Sequence, residues 1–429
     1  MKPKGVFYRT LVASLFLGTL VVGAVVFVPT SRAEDKEYGP PKLVWERTFE
    51  KNILAAGVDE ERFAQAKEDF FSSLKWILLH HNALGQLDKR GKVIMRPEED
   101  RVFPSSMSDN ARYLCAMRYE KEWWSKEKGV HYTFLDWEGR TIWQVDDKKW
   151  LPLLWDDGSG VFLLTGMDIL PFRLRGVKFF DPRGRITTVH EFRNWPRSMG
   201  YFYAKSSNFL ALATTGSEEE GFPTTLYVFK KAGELLWKRE DIRKWYTGDH
   251  GVKKGWMFRG VSVSDAGAVT LVRRRLQPSV LEVLIYDRKG RLQNSQQLSD
   301  TGPLYASKIV GKFAFVPAGY RRQEGRLRGS RFLCYDLEET KVKFLLEGEA
   351  DHRFGNFDVD AEAGLVAVAV LAKDRDDAVK IYDLNGAYKT EVKVDIVRRG
   401  PDEFWLKLLD NALLVAEGNR LKLYAIGGR

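Results

Sequence analysis

Residues 134–145, FLDWEGRTIWQV, bring together three residue types that recur in catalytic and cofactor sites. Asp136 could act as a general acid or base beside a second titratable group. Gly139 allows a close backbone approach, and Trp143 offers a ring for stacking. The same residues also fit a β-hairpin in which the aspartate caps a turn and the glycine takes a positive φ. Copies of the stretch elsewhere in the chain separate these two interpretations.

Seven copies of the stretch follow one another along the chain. They are LDKRGKVIM from Leu87, LDWEGRTIW from Leu135, FDPRGRITT from Phe180, FKKAGELLW from Phe229, YDRKGRLQN from Tyr286, YDLEETKVK from Tyr335 and YDLNGAYKT from Tyr382. Successive glycine-equivalent positions are 48, 45, 49, 57, 49 and 47 residues apart. In the sixth copy Glu339 stands where the others have glycine, so we expect a different turn there. Aspartates repeated at this period do not converge on one cleft, and we interpret them as turn caps.

The repeating unit predicts a β-propeller. Two more strand signals precede most hairpins, as in residues 258–274 and 354–371, which gives four antiparallel strands in about 48 residues. Units of four strands at this period are typical of propeller blades. The last unit, 404–426, supplies three strands, and residues 42–49 resemble the missing fourth one. We therefore expect an all-β, single propeller of eight blades, with seven as the alternative, closed by its N-terminal strand.

The predicted organisation has three parts. Residues 1–33 form an export signal or a membrane anchor, 34–41 a short linker and 42–429 the propeller. Basic residues precede an apolar run from Leu11 to Val28, and TSRAED then offers a cleavage site, so cleavage and retention both stay open. No later run is apolar enough to cross a membrane. Helical periodicity over 59–76 predicts an insertion in the first blade, where it could replace one strand.

The hairpins resemble the repeats of two propeller classes. DWEGRTIW and KKAGELLW are similar to pyrroloquinoline-quinone-type repeats, and IYDRKGR and IYDLNGA are similar to the wider WD40-like class. The resemblance covers nearly the whole chain after the leader and implies the fold. Quinoprotein dehydrogenases of this fold carry vicinal cysteines, which this chain lacks. The propeller subunit of outer-membrane assembly machinery is a lipoprotein, and this chain has no cysteine near its leader that could accept a lipid. The resemblance therefore implies no site residues.

The residue types that usually carry catalysis are scarce. The six histidines are dispersed apart from His80 and His81, which would point to opposite faces of a strand. Cys115 and Cys334 lie in apolar strand-like runs, where we expect two buried thiols, with a disulfide between them as the alternative. No zinc-protease, phosphate-loop or nucleophile-elbow motif occurs, and the GDHGVKKG segment, 248–255, is interpreted as a connection between blades. We expect no catalytic, cofactor-binding or metal-binding residues.

What varies between units is the segment between the second and third strands. Several of these segments are basic or aromatic, and their residues form the candidate binding face: Trp123, Trp124, Arg173, Arg175, Arg273, Arg274, Arg275, Arg321, Arg322, Arg326 and Arg328, with Arg331 next to them. The segments 215–223 and 373–378 are acidic instead. Arginine clusters with aromatic residues suit carboxylate, phosphate or sulfate groups, or a protein partner. The alternative is an ordinary solvated face in a mildly basic protein.

Charge and leader together favour one class of function. The formal charge is +10, and about +6 remains when the four basic residues of the leader are removed. We expect a non-catalytic scaffold outside the cytoplasm that binds a protein or an anionic envelope polymer, with no nucleic acid partner and with membrane contact only through an uncleaved leader. The alternatives are a propeller enzyme that uses its central channel, such as a quinone-dependent dehydrogenase, a lyase or a hydrolase, and a sensor of a small ligand.

Overall fold

The computed structural model describes a protein built from β-strands. The described residues are 38–427 without 50–52, 59–73, 80–82, 88–92, 96–101, 120–129, 148–149, 167–172, 193–199, 216–223, 242–245, 248–252, 255, 276–279, 299–306, 324–325, 350–351, 373–376, 396–403 and 410. In these ranges every regular element is a strand, and there are 34 of them. They form eight antiparallel sheets of four strands and one small hairpin. The leader lies outside the described residues.

Four blades come from the first half of the described chain. Blade one consists of β2 (Ile53–Val58), β3 (Leu74–Leu79), β4 (Ala83–Leu87) and β5 (Val93–Met95). Blade two consists of β6 (Val102–Met107), β7 (Leu114–Tyr119), β8 (Val130–Leu135) and β9 (Thr141–Asp147). Blade three consists of β10 (Trp150–Leu154), β11 (Gly160–Gly166), β12 (Arg173–Phe180) and β13 (Ile186–Glu191). Blade four consists of β14 (Gly200–Lys205), β15 (Phe209–Thr215), β16 (Thr224–Lys230) and β17 (Leu235–Asp241).

The other four blades follow after a small hairpin of β18 (Tyr246–Thr247) and β19 (Lys253–Lys254). Blade five consists of β20 (Trp256–Val263), β21 (Val269–Arg275), β22 (Val280–Tyr286) and β23 (Leu292–Leu298). Blade six consists of β24 (Lys308–Val310), β25 (Phe313–Gln323), β26 (Arg326–Asp336) and β27 (Lys341–Glu347). Blade seven consists of β28 (Arg353–Asp360), β29 (Leu365–Leu371), β30 (Ala378–Asp383) and β31 (Tyr388–Lys393). Blade eight combines β32 (Phe404–Leu409), β33 (Ala412–Glu417) and β34 (Arg420–Ala425) with β1 (Lys42–Thr48).

The eighth blade is completed by the N-terminal strand, as the sequence predicts. β1 pairs antiparallel with β34 from Lys42 opposite Ala425 to Thr48 opposite Arg420. After β1 the chain is fixed to the turn that follows β33, because Phe49 N donates to Asn419 O at 2.8 Å and Ile53 N to Gly418 O at 2.7 Å. These bonds join the first and last strands of the described chain.

The core lies between consecutive blades. The middle strands are buried on both faces, as in β33 and β29, whereas outer strands such as β9 and β13 are largely exposed. Separate apolar clusters join blades two to three, three to four, four to five, five to six, six to seven and seven to eight. A further cluster packs Ile53 of blade one against Leu414 of blade eight, and β4 contacts β6 between blades one and two. Residues 38–427 thus form an eight-bladed β-propeller.

Aromatic residues of one blade pack on the turn glycine of the next. Trp143 of β9 stacks on Phe134, with ring centroids 3.6 Å apart, and it touches the position where Gly184 would carry a Cβ. Trp237 meets Gly290 in the same way, and Phe344 meets Gly386. These glycines also have positive φ angles, 77° at Gly184 and 73° at Gly290. Each glycine therefore answers two constraints, a left-handed backbone and a close aromatic neighbour.

The structure corrects one expectation about the blades and confirms two others, the buried cysteines and the different turn of the sixth copy. Leu74–Trp76, at the end of the stretch with helical periodicity, belongs to strand β3, and blade one has all four strands. The rest of that stretch lies outside the described residues. Cys115 and Cys334 are free and buried, so the alternative of a disulfide is wrong, because the two thiols lie in different core clusters. In the sixth copy Thr340 takes the left-handed position with φ of 52°, one residue later than in the other copies.

No helix long and apolar enough to span a membrane occurs in the described part of the chain.

A glycine pair separates the two constraints experimentally. Gly364 also has a positive φ, 68°, but nothing lies within 4 Å of its missing Cβ, whereas a Cβ on Gly290 would lie 2.8 Å from Trp237 Cδ2. We expect Gly364→Ala to lose about 1–2 kcal/mol of unfolding free energy through backbone strain alone. Gly290→Ala should lose about 1–3 kcal/mol more, because the methyl group overpacks the interface between two blades. Urea denaturation measures both, and equal losses would contradict the role given to Trp237.

Candidate functional site

The two rims of the ring are built differently. Since strands alternate in direction, the connections between second and third strands lie at the same rim as the connections between blades. We call this the upper rim. The turns between first and second strands, and between third and fourth strands, lie at the opposite rim, which we call the lower rim. The repeated hairpins belong to the lower rim, and the candidate binding residues that the structure describes belong to strands near the upper rim.

The repeated aspartates are bound within their own turns. Asp287 Oδ1 accepts the backbone N–H of Lys289 at 2.8 Å and of Arg291 at 2.9 Å, and its Oδ2 accepts Arg291 Nε at 2.7 Å. Asp136 and Asp181 make the same bonds to the backbone and Nε of the arginine four residues later. Asp336 and Asp383 likewise accept backbone N–H groups of their turns. The interpretation as turn caps is confirmed for these five, and Asp88 lies outside the described residues.

Burial alone would raise the pKa of the Asp287 carboxyl. Hydrogen bonds from the backbone and side chain of Arg291, and from the backbone of Lys289, outweigh it and hold that pKa below its usual range. The same balance lowers the pKa of Asp181, whose donors are Arg185 and Arg183. Carboxylates held ionised by their turns are poor general acids at neutral pH.

Other polar groups of the lower rim join neighbouring blades. Asn110 of blade two donates its backbone N–H to Asp156 Oδ1 of blade three at 2.9 Å, and its side-chain amide to Asp156 O at 3.2 Å. Between blades four and five Asp265 takes the same part, accepting Ser207 N at 2.6 Å and the Asn208 amide at 3.4 Å. At the lower rim these contacts therefore hold neighbouring blades together.

Blade six differs from the other blades at the upper rim. Strands β25 and β26 have 11 residues each. β24 pairs only with Phe313–Phe315, and β27 pairs only with Arg331–Asp336. The paired segment from Tyr320 to Gln323 and from Arg326 to Ser330 therefore continues past its sheet, with no third strand beside it in the described residues. We call this segment the blade-six ribbon.

The base of the blade-six ribbon is fixed. Ser330 is buried, its N–H donates to His352 O at 3.1 Å, and its carbonyl accepts Gly348 N at 2.8 Å. The backbone N–H of Phe354, in blade seven, donates to Ser330 Oγ. Arg331 forms an ion pair with Glu347, Nη2 to Oε1 at 2.6 Å. A register shift between Ala318 and Arg321 marks the start of the extension and bends it, as β-bulges do.

The backbone register sorts the arginines of the ribbon by face. Arg321 is opposite Arg328, Arg322 opposite Leu327 and Gln323 opposite Arg326. Paired residues share a face and successive pairs alternate, so Arg321, Arg326 and Arg328 belong to one face, and Arg322 belongs to the other. The candidate residues of blade six are thus strand residues, and three of the four share one face.

In blade five the arginines end a central strand instead of forming a loop. Arg274 is paired with Met257 and Leu281, and Arg275 with Trp256 and Val280. The Arg273 side chain is 4% exposed, and its Nε donates to Glu282 Oε2, while Ser295 Oγ donates to Glu282 Oε1 at 2.6 Å. Burial tends to raise the pKa of Glu282, and the bonds from Ser295 and Arg273 hold it below its usual range. Arg273 was expected on the exposed binding face, and this expectation is wrong because its side chain is buried in an ion pair with Glu282.

The other two candidates that the structure describes belong to blade three. Arg173 pairs with Gly166 at the start of β12, and Arg175 occupies a bulge between two pairs. Trp123 and Trp124 lie outside the described residues, as do 216–223 of the first acidic segment. In the second acidic segment Asp377 is buried and accepts Ala372 N at 2.8 Å. Its charge is therefore internal, and residues 373–376, Lys-Asp-Arg-Asp, sum to zero.

No cluster of metal ligands is formed by the described residues. No three side chains of His, Cys, Asp or Glu come together there as metal ligands. His190 Nε2 lies 2.7 Å from Gly233 O of the next blade, and His131 lies 2.6 Å from Asp146. His80, His81 and His250 lie outside the described residues. The GDHGVKKG segment lies between blades four and five, as predicted, and contains β19.

The comparisons agree with this architecture. No known protein-family profile matches the chain. No curated protein matches it either. Among solved structures it is similar to BamB from Moraxella catarrhalis, with 10% identity over 90% of this chain and 99% of that one, and a TM-score of 0.51. The chain is a β-propeller.

Two further solved structures are similar at lower TM-scores. The WD40 domain of SCAP from fission yeast has 10% identity over 93% of this chain and 97% of that one, and a TM-score of 0.49. The β-propeller domain of the Trilobed protease from Pyrococcus furiosus has 11% identity over 76% and 93%, and a TM-score of 0.42. The β-propeller fold that the resemblance implies is confirmed by the sheet topology and by the similarity to BamB, and an identity of 10% shows the fold alone.

Two structural residues escaped the sequence reasoning. Glu282 interrupts the apolar run VLEVLIY, and a lone charge in the centre of a buried strand is a signal for a buried partner. Ser330 gives no such signal, because its role depends on the chain between blades six and seven passing beside it.

The buried pair predicts the outcome of a substitution at Arg273. Arg273→Met leaves the Glu282 carboxylate buried and without its cation, so we expect a loss of about 3–5 kcal/mol of unfolding free energy. The double variant Arg273→Met/Glu282→Leu should recover most of that loss, since it replaces the pair by apolar side chains. Urea denaturation measures both. A single variant as stable as the wild type would show that Arg273 is not buried against Glu282.

The turn caps predict an acid dependence. Because the folded pKa of Asp287 lies below the unfolded value of about 3.9, its stabilising effect is complete above that value and is lost as pH falls through the folded pKa. Asp287→Asn should therefore be less stable than the wild type at pH 7, and the difference should shrink below about pH 4. Thermal unfolding from pH 7 to pH 3 measures it, and a difference independent of pH would contradict the assignment.

Proposed function

We propose that this propeller is a non-catalytic platform that binds a protein partner at its upper rim, outside the cytoplasm. One observation carries the proposal: blade six extends an arginine-rich ribbon past its own sheet, with a base fixed by Ser330 and Arg331. A rigid scaffold that presents irregular segments at one edge is a common way to position binding residues. The lower rim supports the division, since its aspartates are bound in turns and in contacts between blades.

The leader supports the location. Lys2, Lys4 and Arg9 precede the apolar run Leu11–Val28, and small residues follow it, as in an export signal. If the segment is retained, we expect membrane contact through the leader.

The candidate face supports a protein partner. Besides the ribbon's own arginines, the upper rim has Arg274 and Arg275 at the end of β21 in the adjacent blade five, and Arg173 and Arg175 at the start of β12 in blade three. Trp123 and Trp124 belong by sequence to the same rim, and tryptophan and arginine dominate the contacts that contribute most to protein binding. An anionic envelope polymer would use the same charges without needing the aromatic residues.

The experiment is a capture from envelope extracts at about 0.15 M salt, where weak long-range attraction is screened. The purified full-length chain is immobilised, bound proteins are identified by mass spectrometry, and the absorption spectrum is recorded before use. We expect a stoichiometric protein partner and a spectrum of aromatic residues only. A cofactor band with turnover of a substrate would replace the platform by a channel enzyme, and capture of a polymer without protein would replace the partner class.

A further inference from the structure

The blade-six ribbon has a specific shape for a partner. Its two strands are joined by paired backbone from Tyr320–Ser330 to Gln323–Arg326, and neither has a third strand beside it in the described residues. Strands with unpaired edges accept an extended peptide as an additional strand, through backbone hydrogen bonds. In β26 the neighbouring strand β27 ends at Glu347, opposite Arg331, so the edge of 326–329 begins where β27 stops.

The charge of the ribbon is one-sided. Residues 320–329 contain four arginines and one acid, Glu324. The register places Arg321, Arg326 and Arg328 on one face, and it opposes two like charges, Arg321 and Arg328. Like charges directly opposite each other destabilise an antiparallel pair. A bound anion on that face would offset this repulsion.

The spacing of the arginines along β26 favours one kind of anionic ligand. Alternate residues of a strand are about 7 Å apart and share a face, as Arg326 and Arg328 do. A peptide strand with carboxylates at alternate positions has the same period, so each carboxylate meets one arginine of the neighbouring strand. Neither a membrane surface nor a flexible polyanion requires this period or a free backbone edge.

We infer that the blade-six ribbon binds an extended acidic segment of a protein partner, which adds as a strand along Arg326–Gly329 with alternate Asp or Glu residues opposite Arg326 and Arg328, and that Arg321 adds charge to the same face from β25. The inference rests on the proposed function and names the contact within it. Ser330 and the Arg331–Glu347 ion pair hold the ribbon at its base. A strand held at one end loses less freedom on binding than an unattached segment would.

The test uses two synthetic peptides of equal composition and the full-length chain in a neutral detergent. One peptide repeats Glu-Thr six times, and the other has six glutamates followed by six threonines. Fluorescence anisotropy at low salt measures the dissociation constants. We expect the alternating peptide to bind several-fold more tightly, with an affinity that falls as salt is raised to about 0.3 M.

Two charge reversals provide the matched comparison. Arg328→Glu and Arg322→Glu change the net charge equally, one residue on each face of the ribbon. Arg328→Glu should weaken binding of the alternating peptide by about tenfold or more, the loss of a charge-assisted contact, and Arg322→Glu by less than about threefold. Unchanged melting temperatures show that both variants are folded, and Arg328→Gln replaces Arg328→Glu if that variant does not fold.

Several outcomes overturn the inference. Equal losses for Arg328→Glu and Arg322→Glu would show attraction by net charge alone, as would equal affinity for the two peptides. Tighter binding to vesicles with anionic lipid, or to a sulfated polysaccharide, than to the alternating peptide would assign the ribbon to a different partner class. The envelope capture separates this inference from the proposed function. If the triple variant Arg321→Glu/Arg326→Glu/Arg328→Glu still captures the partner, the ribbon contact is wrong and the proposed binding platform stands. If the wild type captures no partner, the proposed platform itself is wrong.

Discussion

The contact between an aromatic side chain and the turn glycine of the next blade is the constraint on which the ring depends. Trp143, Trp237 and Phe344 each lie where a Cβ on the following glycine would stand. The contact aligns the outer strand of one blade with the hairpin of the next, and the apolar cores of the middle strands then form between them. The contact occurs between blades two and three, four and five, and six and seven, and the repeated four-stranded unit places each blade against the next around the ring.

Closure of the ring adds a second requirement. The last blade lacks an outer strand of its own, and β1 supplies it from the other end of the described chain. Bonds from Phe49 and Ile53 to the turn at Gly418 and Asn419 continue the seam at the upper rim. The first and last blades are therefore held by pairing as well as by packing, which covers an edge that would otherwise be open.

The two rims divide structure from variation. At the lower rim the polar groups repeat because each copy solves the same local problem, a tight turn with satisfied backbone and a bond to the neighbouring blade. At the upper rim nothing in the turn chemistry fixes the length of a connection, so blade six can extend its second and third strands while blade eight closes with the short Gly418–Asn419 turn. Freedom of length at one rim is what makes a docking ribbon possible in an otherwise regular ring.

By itself the sequence determined the period, the four-stranded unit, the role of the repeated aspartates and the composite last blade, because these depend on local turn chemistry and on alternation along strands. Only the tertiary structure decided which charges are available. Arg273 and Arg275 are two residues apart in one run of arginines, yet Arg273 is buried against Glu282, and Asp377 is internal to a segment that reads as acidic. It also decided that Arg321 and Arg328 are opposed, because register is set by pairing across a hairpin and not by spacing along the chain.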